Sequence, residues 1–171
     1  MSAVHSDPLR KRLLGTSRAT QADAFSHLHE IDLHTSATIH YSSEESAHPI
    51  DHMFDGNCGP GGTLWRSARP NATEQLVLEF DQPQHIAHLV FEVEERAVER
   101  TQEIRIEFSS DHGKTYRQIL VQEYTFSPQG ATYECESLSF DLHDVTHLRL
   151  MIVPNKSGAG AASITSLRLF S

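Results

Sequence analysis

From His34 onward, apolar side chains recur at every second position, and turn residues interrupt them at short intervals. The clearest run is Glu103-Ile104-Arg105-Ile106-Glu107-Phe108. Its apolar residues fall on one face of an extended strand and its charges on the other. The same alternation appears in Leu76, Leu78 and Phe80, and, after Asp81-Gln82-Pro83-Gln84, which reads as a turn, in Leu89, Phe91 and Val93. Further strands are expected over 35–41, 64–68, 115–126, 133–142, 146–153 and 163–170, about eight or nine in all. Asp111-His112-Gly113 reads as a short hairpin loop in which Gly113 takes a positive φ. No long helix separates one strand from the next, so a parallel βαβ sheet is disfavoured. The pattern predicts an all-β chain folded as an antiparallel β-sandwich.

The first 33 residues have a different pattern. Asp7 caps a helix predicted over 8–14, with Pro8 at its first position and Gly15 beyond its end. Thr20 and Asp23 resemble a capping box opening a second helix through about His29. Residues 1–33 therefore read as a partly helical amino-terminal extension, and 34–171 as the sandwich domain.

Composition narrows the function classes. The chain has 171 residues, the size of a single domain, and 38% of them are hydrophobic, enough for a real core. It carries 14 Lys+Arg against 23 Asp+Glu, a formal charge of −9. That balance argues against nucleic acid or an anionic membrane as partner, since both demand a basic face. The opening residues lack the apolar stretch of a secretory signal, which leads to the expectation of a cytoplasmic protein. Cys58 and Cys135 are too few for a disulfide framework or a four-thiolate metal site.

An ordered set of motifs runs through 34–171. The opening strand ends in Ser42-Ser43, and Ile50-Asp51-His52-Met53-Phe54-Asp55-Gly56-Asn57 forms an Asp-Gly turn. Thr63-Leu64-Trp65, the strand 75–80, the strand 86–93, the hairpin 109–116 and the closing Ala162-Ser163-Ile164-Thr165-Ser166-Leu167-Arg168-Leu169-Phe170 follow. In this order they resemble the discoidin, or coagulation-factor type C, group of galactose-binding-like jelly rolls. The resemblance implies a jelly-roll sandwich and a non-catalytic module that binds carbohydrate through loops at one end. Those loops would be 55–72, 111–114 and 155–162. It also implies a structural calcium near the Asp-Gly turn, with Asp55, Asn57 and Thr63 as ligands. The family's closing glutamate falls at Ser166 here, and Cys58-Gly59-Pro60-Gly61-Gly62 lengthens the loop. Oxygens beside the turn also cap backbone amides without any cofactor, so loop capping stands as the other reading.

The candidate ligand-binding residues are Arg66, Arg69, Asn71, His112, Asn155 and Lys156, whose fixed donors and acceptors suit sugar hydroxyls. Trp65 has the flat face for stacking on a pyranose, but as the single tryptophan it reads better as core. Twelve histidines invite a metal reading, with His27/His29 and His48/His52 the tightest groups, but solvated surface histidines are the plainer account. Glu92, Glu94, Glu95, Glu99, Glu103 and Glu107 form an acidic run that alternation assigns to a solvated face rather than to a paired-carboxylate hydrolase. No nucleophile elbow, phosphate loop or His-Glu-x-x-His is present, and no enzyme is expected. The alternative function is an intracellular protein–protein interaction or scaffold domain of the same fold. Exposed edge strands leave a dimer open.

Overall fold

The computed structural model describes residues 27–171. The helix expected over 8–14 and most of the second lie outside these residues. The end of the second is not helical. His29 exchanges both backbone hydrogen bonds with Ser171, and Ile31 N–H reaches Leu169 O, so this stretch lies extended beside the closing strand. A one-turn helix, α1 (Leu33–Ser36), follows, capped by Asp32, whose carboxylate accepts from His34 N–H and the Thr35 hydroxyl.

Eight strands follow: β1 (Ala37–Tyr41), β2 (Trp65–Arg66), β3 (Glu74–Glu94), β4 (Arg100–Ser109), β5 (Arg117–Phe126), β6 (Tyr133–Gly158), β7 (Ser163–Ile164) and β8 (Ser166–Phe170). All pairings are antiparallel. One layer runs β1-β3-β6-β4-β5 and uses 74–79 of β3 with 147–152 of β6. The other runs β8-β3-β6 and uses 86–94 of β3 with 133–142 of β6. The two long strands thus belong to both layers.

Asp81-Gln82-Pro83-Gln84 is therefore not a hairpin turn. The β3–β6 register slips at Glu79/Gln84, Gln84/Ile86 and Ile86/His88, and the chain crosses between layers there without leaving the sheet. Pro83 lies in this slipped stretch, where the β3–β6 ladder has no pairing for it. On β6 the matching corner holds Asp144 at a φ of 55°. The layers close over Trp65, Leu76, Leu78, Phe91, Ile104, Ile106, Leu148, Leu150 and Leu169. Across the interior, Phe91 of β3 meets Tyr124 of β5 edge-on, with ring centroids 5.9 Å apart.

The ladders fix two rims. Arg100 pairs with Phe126 and Gly158, while Ser109, at the other end of β4, pairs with His147. The Arg100 rim carries the loops 42–73, 95–99, 127–132 and 159–162. The hairpin 110–116 sits at the opposite rim, about 30 Å away along β4 at ~3.3 Å per residue. The three loop groups expected at one end are therefore split between two.

Candidate functional site

The Arg100 rim is anchored by Trp65, which is fully buried and donates its indole N–H to Ser43 O at 3.1 Å. Trp65 is core, as its bulk suggested, and offers no stacking face. Beside it, Arg66 pairs with Ser163 of β7. The loop after Arg66 is zipped to the loop after β6. Ser67 N–H reaches Ala162 O, Asn71 N–H reaches Gly160 O at 2.7 Å, and Gly160 N–H reaches Asn71 Oδ1 at 2.9 Å. Asn71 takes a left-handed φ of 58°, which asparagine tolerates better than most residues. Gly158 has a φ of +82°, and a Cβ there would collide with the Glu99 carbonyl.

Three of the six sequence-predicted ligand residues, Arg69, Asn71 and Lys156, are spent on this scaffold. Arg69 gives Nε and Nη2 to the two oxygens of buried Glu74, at 3.0 and 2.8 Å. Asn71 is the loop clamp. Lys156 bridges Glu103 and Glu123, at 3.0 and 3.4 Å. Asn155 lies half-buried at the same rim, one residue beyond Pro154. His112 sits in the far hairpin, its N–H bonded to Thr146 Oγ1.

Arg66 differs from Arg69 and Lys156, the other two cations. Among the described residues its guanidinium makes no hydrogen bond or ion pair. Its backbone is framed by Glu45 and His48: Glu45 N–H donates to Arg66 O at 2.8 Å, and Arg66 N–H donates to His48 O at 3.1 Å. Glu45 and His48 close a tight turn, His48 N–H bonding to Glu45 O at 2.8 Å. One oxygen of Glu45, Oε2, is enclosed and has no hydrogen-bond partner among the described residues. An enclosed carboxylate oxygen without a partner is rare, because burial strips it of water and nothing replaces those hydrogen bonds. Nearby, Tyr41 ends β1 with 43% of its surface exposed, the only aromatic among the exposed large hydrophobic residues of the described chain. Hydrogen bonding and charge from Glu44 raise its hydroxyl above the ordinary tyrosine range. Tyr41, His40, Ser42, Gln75 and Val77 line a groove of about 220 Å³. Glu45, His48 and Tyr41 were not singled out from sequence as sugar-binding residues, His48 having been weighed only as a metal ligand. The turn-forming Glu45-Ser46-Ala47-His48 before the Trp65 strand is the signal that points to the first two.

The Asp-Gly loop brings Asp55, Asn57 and Thr63 together. Asp55 accepts Asn57 N–H at 2.8 Å and the Thr63 hydroxyl at 2.7 Å, while Asn57 O and His52 O lie 3.4 and 3.5 Å from that hydroxyl. This donor set is oxygen throughout, but it holds one carboxylate and falls short of the roughly six to eight oxygens that calcium takes. Ser166, at the closing position, adds no charge. The inserted glycines are held instead by β3: Glu92 accepts Gly59 N–H at 2.6 Å, and Glu94 accepts Gly61 N–H at 3.1 Å. The residues present fit loop capping and do not fit a calcium shell.

Those carboxylates correct the reading of the acidic run. Glu92, Glu94, Glu95 and Glu103 are buried, because loops and neighbouring cations cover the outer ends of their strands. Glu95 pairs with Arg100, and Glu103 with Arg105 and Lys156. Burial would raise the carboxyl of Glu95, but the amides of Ala97 and Val98 and the Arg100 guanidinium hold it below the ordinary range. Every one of these four is committed to the fold.

A larger cleft, about 300 Å³, follows the seam between 30–34, the loop 53–56 and the start of β8. Its polar groups are mostly engaged: Asp32 caps α1, and His34 Nε2 lies 2.9 Å from Phe54 O. His48 and His52 stand edge-on with centroids 6.4 Å apart, and His52 Nδ1 faces Leu64 O.

Comparison with known proteins agrees with this architecture. The family model of the F5/8 type C domain matches residues 37–167. A search of curated proteins finds no match. Among solved structures, the family 32 carbohydrate-binding module of Clostridium perfringens NanJ, in complex with galactose, is 14% identical with a TM-score of 0.57, over 83% of this chain and 98% of that one. The paired modules of Clostridium perfringens ZmpB, in complex with GalNAc, are 19% identical with a TM-score of 0.59, over 90% of this chain and 38% of that one. A module from a Clostridium perfringens family 31 glycoside hydrolase is 15% identical with a TM-score of 0.60, over 83% and 94%. At these identities the likeness is one of fold.

Proposed function

Since the chain belongs to the F5/8 type C domain family, we propose that it is a non-catalytic carbohydrate-binding module whose ligand sits on the Arg100 rim at Glu45, His48 and Arg66. The observation that carries this reading is the pairing of an uncommitted guanidinium with an enclosed carboxylate oxygen that lacks a partner, on loops framed together by backbone hydrogen bonds. Sugar hydroxyls both donate and accept, so they bond the open guanidinium directly and meet the Glu45 carboxylate once its side chain turns outward. Arg66 supplies donors only, Glu45 acceptors only, and His48 either. Tyr41 offers an exposed ring for the apolar face of a pyranose. The site is a shallow rim on a rigid scaffold, a form suited to weak, selective recognition.

The family 32 modules named above were solved with galactose and GalNAc, which makes galacto-configured sugars the first ligands to test. The purified chain, applied to a glycan array and followed by calorimetry with galactose and GalNAc, is expected to bind in the millimolar range or tighter. Absence of binding to every glycan at millimolar concentration overturns the proposal in favour of a protein-binding role.

A further inference from the structure

At the corner where β3 and β6 change layers, far from the proposed sugar rim, three side chains from two strands converge. Asp141 and His143 stand two residues apart on β6 and so share one face of the strand. Leu142, between them, packs on the core opposite Ile86. His85 precedes Ile86 and therefore joins them on the outer face. His85 Nε2 lies 3.1 Å, and His143 Nε2 3.0 Å, from the same atom, Asp141 Oδ1. The two rings stack 10° from parallel with centroids 4.5 Å apart. One ligand atom from each residue lies within 4.8 Å of the others.

We propose that His85, Asp141 and His143 form a zinc site, with two imidazole nitrogens and one carboxylate oxygen as ligands.

The geometry is close to what the ion requires. With Zn–N and Zn–O bonds of about 2.0–2.2 Å, neighbouring ligand atoms of a tetrahedron stand about 3.3–3.5 Å apart. Both nitrogen–oxygen edges here need to open by only a few tenths of an ångström. The rings must also leave their parallel stack so that their two nitrogens, now within 4.8 Å, converge on the ion, which χ2 rotation allows because the side chains of His85 and His143 are 41% and 65% exposed. The donor set selects the metal class. Imidazole nitrogens with one carboxylate suit zinc and its transition-metal neighbours, whereas calcium and magnesium prefer oxygen alone. The fourth position faces solvent and is left to water.

Position adds a physical consequence. The ladder between β3 and β6 slips at Gln84/Ile86 and again at Ile86/His88. An ion held by His85 from one strand and Asp141 and His143 from the other cross-links the sandwich where its backbone pairing is thinnest. Binding the folded chain alone, it stabilises the fold by mass action.

The test is calorimetric titration of the full chain, free of any affinity tag, with zinc chloride in a buffer that does not bind metal, together with thermal melts. The wild type is expected to take up one equivalent and to melt higher with zinc. H85Q/H143Q is expected to lose both effects, D141N to weaken binding, and H27Q/H29Q to retain them. Because the substituted side chains are exposed, these variants are expected to fold, and a circular-dichroism spectrum matching the wild type verifies it. A wild type that takes up no zinc, or uptake that survives H85Q/H143Q, overturns the proposal.

Discussion

The guanidinium of Arg100 donates through Nε to Glu95 Oε2 at 3.0 Å, with both side chains removed from water. Its remaining donors reach Gln102, Pro154 O and Ser163, so one side chain ties β4 to the loop before it, the end of β6 and β7. Burial lowers the Arg100 pKa, and Glu95 opposes that fall. Removing one partner of such a pair strands the other. E95A leaves a buried cation without its anion and is expected to cost ~3–5 kcal/mol. R100M is expected to cost less, since Glu95 keeps the amides of Ala97 and Val98. Urea denaturation of both variants checks the order, and a cheaper E95A would contradict it.

Arg66 and Arg69 carry the same charge three residues apart but serve different ends. R66A is expected to weaken sugar binding at least about tenfold, the loss of one charged hydrogen bond, while the melting temperature holds. R69A strips buried Glu74 of its bidentate partner and is expected to lower the melting temperature. Calorimetry with galactose beside thermal melts separates the two. The idea fails if both variants move the same quantity.

The Asp-Gly loop is closed by Asp55, Glu92 and Glu94 through hydrogen bonds of their own. Chelation of the zinc-free chain with EGTA is therefore expected to leave the melting temperature within about 1 °C, since a ligand that does not bind the folded state cannot stabilise it. A fall of several degrees, restored by calcium, would show that the loop holds an ion.

Acid should weaken the fold through His88 before the carboxylates respond. The ring is buried against Ser137 and Ser139, and burial pushes its pKa below the ordinary value. The unfolded chain therefore takes up this proton first, near pH ~6.5. The histidine's contribution is complete above that value and shrinks as pH falls toward the lower folded pKa, by at most ~1.4 kcal/mol per pH unit. Glu74 and Glu95, held below the ordinary carboxyl range, are lost only at lower pH. Denaturation at pH 7.5 and 5.5 is expected to show a smaller acid loss in H88Q than in the wild type. Equal losses would discount His88.

Period-two alternation made the strands and their inner faces legible, and Asp111-His112-Gly113 fell where a hairpin was expected. It did not show that Asp81-Gln82-Pro83-Gln84 is a bulged crossing, because slipped pairing and a reversing turn draw on the same residues. Alternation also tells which way a side chain points, not what lies above it. Glu92 and Glu94 point outward, but the inserted glycines cover them. His112 was assigned to the wrong rim, although successive antiparallel strands alternate ends and the order of strands alone could have placed it. His85 and Asp141 lie 56 residues apart, and only the pairing of β3 with β6 brings them together.

Because β3 and β6 each run through both sheets, neither sheet owns a full complement of strands. Loosening one withdraws the middle of the other, so there is no half-molecule for a partial opening to leave behind. Amide protons at the centres of both sheets should then exchange with one shared free energy, and a single backbone cut near Pro83 should release both sheets together.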